Sequence, residues 1–226
     1  MNPNPLLKKL GCSNADRLVI IHTDDIGMCQ ASVQAFSDLW NFGTISSGAV
    51  MVPCPWFPAA AKICRQDPTI DMGVHATLNC EYELFRWGAV STCDPQSGLF
   101  DQDGYLHRDR ESVYQNAKPE AVTVEVNTQV ERALAAGIDV THVDTHMGTV
   151  IHPNFVQSYL QAGMSRQIPV MLPRLSAKGF DMMGMKSEAL ALYAPILDRL
   201  EAQGVPMLDG LFSMPLDHEE NHVEIA

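Results

Sequence analysis

Short β-branched runs alternate with longer segments of helical spacing about six times along this chain, and that rhythm restricts it to folds in which parallel strands are joined by helical crossovers. Leu18 to Ile21, Ile45 to Val52, Ile70 to Leu78, Val140 to His146, Val170 to Leu172 and Pro206 to Phe212 read as strands. The first of these has the composition of a strand buried on both faces. Cys29 to Phe42, a short stretch ending at Cys64, Pro119 to Ala136, His152 to Gln167 and Ser187 to Gln203 read as helices. Gly43 and Gly137 are placed as stops and Pro119 as a start. In the third helix the apolar stripe is Val122, Val126, Val130, Ala133 and Leu134.

Residues 79–118 interrupt the rhythm: charged and aromatic side chains alternate with the turn signals Asp94-Pro95, Ser97-Gly98 and Asp103-Gly104. This predicts a long insertion, and an excursion that covers a substrate is preferred over a plain surface loop. The 226 residues are expected to form one α/β domain, 1–226, around that insertion. No GxGxxG or GxxxxGK[ST] fingerprint is present, which favours a β/α barrel over a nucleotide-binding doubly wound sheet.

The formal net charge of −12 argues against a nucleic-acid backbone or an anionic membrane surface as partner, and a neutral substrate fits better. Six cysteines without a CxxC pair form neither a zinc ribbon nor a thioredoxin-like motif and are expected to be reduced thiols. The first residues lack the apolar core of a signal peptide and no run has the length of a membrane span, so a cytoplasmic location is expected.

The chemistry-bearing residues gather at the predicted strand ends. Asp24 and Asp25 stop the first apolar run, and two adjacent carboxylates reach one site only where the backbone leaves the strand, which Gly27 permits. Such a pair repels unless a cation or a shared proton offsets it, making one a ligand and the other a base; the alternative is a helix cap beside a solvated group. His142, Asp144 and His146 share one face of the fourth strand, a donor set suited to Zn²⁺, Mn²⁺, Fe²⁺ or Ni²⁺, or else a core histidine pair satisfied by Asp144. His75, alone in an apolar strand, gains weight from these two neighbours.

The segments His22 to Gly27, Gly73 to Asn79 and Thr141 to Gly148 resemble the three signatures of the YdjC/ChbG-like carbohydrate deacetylases, whose usual forms are close to ADDFG, GLHLTL and THxDSHxH. The resemblance runs from about Leu18 to Arg174. It implies an α/β fold, a distorted parallel β/α barrel (deacetylase-type), for which an incomplete C-terminus is allowed, and metal-dependent removal of acetyl groups from N-acetylated sugars. Carried over by position, Asp25, His75 and His146 would hold one divalent ion, Mg²⁺ or Zn²⁺ with Mn²⁺ or Ni²⁺ as further candidates, and Asp24 would be the base. Asp144 would orient a ligand imidazole with His142 nearby, and Arg174 would face the oxyanion or the sugar, or else form an ion pair. The implied partner is a small N-acetylated saccharide, with no nucleic acid and no membrane; a homodimer is allowed.

Two departures stand out. Met147 and Gly148 stand where the family usually has histidines after the DSH element, and the His-Pro-Gly-like element expected to supply a general acid is not found; His152-Pro153 comes too early, and His218 and His222 lack its context. A degenerate homologue that binds metal and sugar is therefore one alternative. A metal-dependent phosphoesterase is another, and the acidic composition and lack of lysine in the three motifs count against it.

Overall fold

A computed structural model of the chain describes residues 3–174 and 187–213. They fall into two compact units, one of Arg17–Met171 and one of Met1–Asp16 with Leu172–Ala226. In the smaller unit a short helix, α1 (Pro5–Lys9), is capped by Asn4, whose side-chain amide also donates to the Met207 carbonyl at 2.9 Å. A parallel bridge joins Pro173 to Leu208, so the expected strands Val170–Leu172 and Pro206–Phe212 are reduced to isolated bridges. A helix spans Ser187–Ala202.

The larger unit is built on four parallel strands: β1 (His22–Ile26), β2 (Ser47–Val50), β3 (Met72–Ala76) and β4 (Val140–Thr145). Their order is β1-β2-β3-β4, the order of the chain. A doubly wound sheet reverses direction at a switch point; a sheet that adds every strand on the same side is the layout of a distorted β/α barrel. The crossovers are α2 (Gln30–Phe42), α3 (Phe57–Gln66) and, ahead of β4, α4 (Arg110–Asn116) and α5 (Pro119–Ala135). Gly43 ends α2 at φ 83°, where its N–H caps the Leu39 and Trp40 carbonyls, a left-handed conformation that a Cβ disfavours. After β4 a 3₁₀ turn, His146–Ile151, leads to α6 (Val156–Met164), shorter than the expected His152–Gln167.

The first strand differs from expectation. Leu18–Ile21 are between 48 and 78 % exposed and precede β1, which starts at His22 and contains both aspartates. Pairing explains the shift: β1 lies at the edge of the described sheet, and its neighbour β2 begins only at Ser47, opposite His22. Apolar composition alone cannot bury a run that has no strand beside it.

In α5 the buried face is Val122, Glu125, Val126, Gln129, Val130 and Ala133, while Leu134 is 40 % exposed. The two polar members bind the chain that follows β3. Gln129 pairs with the Thr77 backbone, accepting from its N–H at 2.9 Å and donating to its carbonyl at 2.7 Å. The fully buried Glu125 accepts from the N–H groups of Val90 and Ser91 and from the Gln129 amide. Residues 79–118 are thereby fastened to the helix, and they hold a 3₁₀ turn (Pro95–Ser97) and α4 of their own. Glu125→Ala leaves these buried donors unpaired, so it is expected to cost about 2–4 kcal/mol, read as a lowered midpoint in urea.

Candidate metal centre

Side chains two apart on a strand share a face. His22 and Asp24 on β1, Gly73 and His75 on β3, and His142 and Asp144 on β4 are three such pairs. The register sets His75 opposite Asp144, and Asp144 Oδ1 accepts from His75 Nδ1 at 2.8 Å. His75 Nε2 then faces Asp25 Oδ1 at 3.4 Å.

Asp25 reaches the site because β1 is irregular. The register of β1 against β2 shifts between Thr23 and Ile26, and Asp25 itself has φ 59°. This left-handed conformation, costly for a residue with a Cβ, turns two consecutive carboxylates toward the same region. Gly27 follows at φ 86°, with the Phe57 backbone 3.2 Å from where a Cβ would stand. The turn at His146 is strained in the same way, with Met147 at φ 53° and Gly148 at φ 70°. His146 Nδ1 lies 3.1 Å from Asp25 Oδ1, and its Nε2 lies 2.9 Å from Glu81 Oε2.

The hydrogen bonds fix the roles of the ring nitrogens. Nδ1 of His75 donates to Asp144 and Nε2 of His146 donates to Glu81, so the opposite nitrogens, His75 Nε2 and His146 Nδ1, both turn to Asp25 Oδ1. Two imidazoles, each backed by a carboxylate on its far nitrogen, and one carboxylate oxygen between them are a donor set that could hold a divalent ion, and the three candidate ligand atoms lie within 4.8 Å of one another. The residues present fit such an ion. Burial alone would raise Asp25, but bonds to His146 and His75 outweigh it and hold the carboxyl well below its usual range. Burial likewise works against charge on His75 and His146, and the surrounding carboxylates reverse that and raise both. A bound divalent ion would take over this balance and release protons.

A second polar layer lies beside the first. His22 Nε2 is 3.1 Å from both Asp24 Oδ1 and Asp144 Oδ2, and its Nδ1 is 3.1 Å from Ser47 Oγ. Ser47 and Thr141 donate to Asp71 Oδ1 at 2.9 and 2.8 Å, and Thr141 Oγ1 accepts from His142 Nδ1 at 2.9 Å. His142 Nδ1 also lies 3.5 Å from Asp71 Oδ1 and is the main group that pulls the Asp71 carboxyl down to about 2. A Cβ on Gly73 would collide with the His142 ring, so glycine is what admits the imidazole here. His22, His142 and Asp144 also have ligand-like spacing, but His22 already supplies this layer's positive charge: burial opposes it, and hydrogen bonds to Asp144 and Asp24 outweigh that and raise its pKa to about 9.

Of the residues singled out from the sequence, Asp24, Asp25, His75, His142, Asp144 and His146 thus lie in one connected cluster. Arg174 belongs to the other unit and pairs there with Glu201 at 2.7 Å and Asp209 at 2.8 Å. His152 stacks on Tyr114 with ring centroids 4.0 Å apart, and His218 and His222 lie outside the described residues. His22 and Glu81 were not singled out. The first could have been found by counting back two positions from Asp24 on the same strand face.

In parallel β/α folds the functional site lies at the C-terminal ends of the strands, which is where this histidine–carboxylate cluster stands. The model of the YdjC-like protein family matches residues 18–222, and the chain belongs to that family. Relatives include a carbohydrate deacetylase of Thermus thermophilus, 28% identical over 196 residues, covering 87% of this chain and 64% of the relative. Another, from Brevibacillus brevis, is 27% identical over 157 residues, covering 70% of this chain and 60% of the relative. The chain thus spans about three-fifths of the length of these curated relatives. A crystal structure of an Enterococcus faecalis protein assigned to cellobiose-phosphate cleavage superposes with a TM-score of 0.68 at 21% identity, covering 86% of this chain and 67% of that one, which shows a shared fold.

Proposed function

We propose that this chain is a metal-dependent carbohydrate deacetylase that hydrolyses the acetamido group of a small N-acetylated saccharide. The observation that carries this reading is the convergence of Asp25, His75 and His146, each imidazole oriented by its own carboxylate, beside a second aspartate, Asp24, outside that ligand set. The names of the deacetylase relatives point the same way. A divalent ion in this site, Mg²⁺ or Zn²⁺ with Mn²⁺ or Ni²⁺ as further candidates, supplies an electrophile for the amide oxygen and lowers the pKa of water. Asp24, more than half exposed, accepts the proton of the attacking water as general base. Asp144 and Glu81 hold the His75 and His146 rings in the tautomers that aim a lone pair inward. The decisive assay is acetate release from chitin oligosaccharides with each of the four metals. A protein that binds metal and sugar but releases no acetate with any of them would be the degenerate binding homologue, and phosphate release from a phosphorylated sugar would favour the phosphoesterase.

The excursion after β3 supplies a wall for the sugar. Tyr82, Phe85 and Trp87 have ring centroids 5.9–6.2 Å apart, and Trp87 meets the His146 ring at 6.4 Å. Trp87 is buried, whereas Tyr82 and Phe85 are 40% and 39% exposed. An aromatic face beside the reacting group suits the apolar face of a pyranose. Tyr82→Ala with Phe85→Ala is expected to raise KM for a chitin oligosaccharide by roughly tenfold with kcat nearly unchanged, the pattern of lost uniform binding. An unchanged KM would remove the excursion from the binding site.

A further inference from the structure

We propose that His22 is the positioning residue of the base in this site, an imidazolium that holds Asp24 while anchored on Asp144, the carboxylate it shares with His75. The inference rests on the reading of Asp24 and His75 given above.

Proton counting on the hydrogen bonds carries it. Ser47 has a single hydroxyl proton and donates it to Asp71 at 2.9 Å. Toward His22 its oxygen can only accept, so His22 Nδ1 carries a hydrogen. His22 Nε2 faces two carboxylate oxygens, both acceptors, and carries one as well. A ring that donates from both nitrogens is an imidazolium. The groups around it from every neighbouring strand agree: Asp24 on β1, Ser47 with Asp71 behind it on the β2–β3 side, and His142 and Asp144 on β4, where His142 presents its ring at a centroid distance of 5.2 Å. Only the carboxylates carry formal charge opposite to it.

Its mechanical consequence follows from the same contacts. Asp144, 1 % exposed, accepts His75 on one oxygen and His22 on the other, so its carboxylate plane is fixed at both ends. Asp24 is more than half exposed, and among the described residues His22 Nε2 is what holds it at ion-pair distance. Without that contact the base is free to turn into solvent, while His75 keeps its Nδ1 bond to Asp144 and its place against Asp25.

Two measurements test this. The first is nitrogen NMR of imidazole-labelled wild type, Zn²⁺-loaded, with the His22 signals identified by their loss in His22→Gln. Both His22 nitrogens are expected in the protonated range at neutral pH, and a neutral His22 would overturn the assignment. The second compares wild type with His22→Leu and His22→Gln. His22→Leu is expected to lower kcat for acetate release roughly 10²-fold with KM and Zn²⁺ affinity nearly unchanged, the effect of a reacting group displaced by about 1 Å. His22→Gln keeps an N–H near the position of Nε2 and should recover most of that loss. Equal losses in both variants, or a kcat that His22→Leu leaves intact, would show a structural or dispensable residue. If His22→Leu fails to fold, the His22→Gln kinetics and the wild-type spectrum decide the matter. A wild type inactive with every metal would refute the deacetylase reading instead, and the spectrum would still report on His22.

Discussion

Asp24→Asn is expected to lower acetate release from chitin oligosaccharides by roughly 10²-fold or more while the protein still binds one divalent ion with nearly its original affinity. The two adjacent carboxylates occupy unlike surroundings. Asp25 Oδ1 stands between His75 Nε2 and His146 Nδ1, whereas Asp24 Oδ1 meets His22. Asparagine preserves the size of Asp24 and its ability to accept from His22 through the amide oxygen, but it cannot take a proton from water. The Asp25 bulge and the histidine ligands have no cause to change, so calorimetric titration with Zn²⁺ should give the wild-type stoichiometry. A joint loss of metal and rate would mean that Asp24 is itself a ligand and that the base lies elsewhere.

The second, third and fourth strands are the most legible part of this fold. β2, β3 and β4 are bounded by turn residues and paired within the sheet, so apolar composition and burial coincide, and Gly48 to Val50 and Val74 to Ala76 lie in the sheet as read. The first strand lies later than the β-branched residues Val19 to Ile21 suggest because its neighbour in the sheet begins at Ser47, a long-range partner that local composition does not encode. In α5 the spacing rule selected apolar residues only, yet Glu125 and Gln129 are buried as completely as Val126, because their partners are backbone groups of Thr77, Val90 and Ser91 in the excursion. Local spacing carries no trace of such a partner.

The same reasoning sorts the site. His142, Asp144 and His146 lie within one strand and its end, where alternation places them on one face. The left-handed Asp25 was anticipated only as a requirement, that the backbone leave the regular strand if both aspartates are to converge; the bulge supplies it without glycine at that position. His22 and Glu81 gain their roles from partners 122 and 65 residues away, Asp144 and His146; His22 is reachable by strand alternation from Asp24, whereas nothing local to Glu81 announces it.

His75→Ala and Asp25→Gly should both abolish metal binding at ordinary concentrations, yet only the first should damage the fold. Loss of an outer partner alone commonly costs 10- to 100-fold in metal affinity, so removing a ligand atom should weaken Zn²⁺ by more than about 10²-fold in either variant, with acetate release falling accordingly. In the metal-free state the two differ. His75 is buried against Asp144, and alanine there leaves a cavity and withdraws the 2.8 Å donor from a carboxylate that is 1 % exposed. Leaving one oxygen of a buried carboxylate without its donor, and a cavity beside it, is strongly destabilising, so a loss of about 3 kcal/mol or more is expected. Asp25 is a partly exposed residue at φ 59°, where glycine relieves on the order of 1 kcal/mol of backbone strain. That gain offsets part of the lost pairing with His75 and His146, which solvent at the part-exposed carboxylate screens. Urea denaturation in the presence of a chelator should therefore show Asp25→Gly within about 1 kcal/mol of wild type and His75→Ala far below it. If Asp25→Gly keeps its Zn²⁺ affinity, the aspartate is not a ligand; if it unfolds as readily as His75→Ala, the bulge at Asp25 holds up the sheet rather than serving the site.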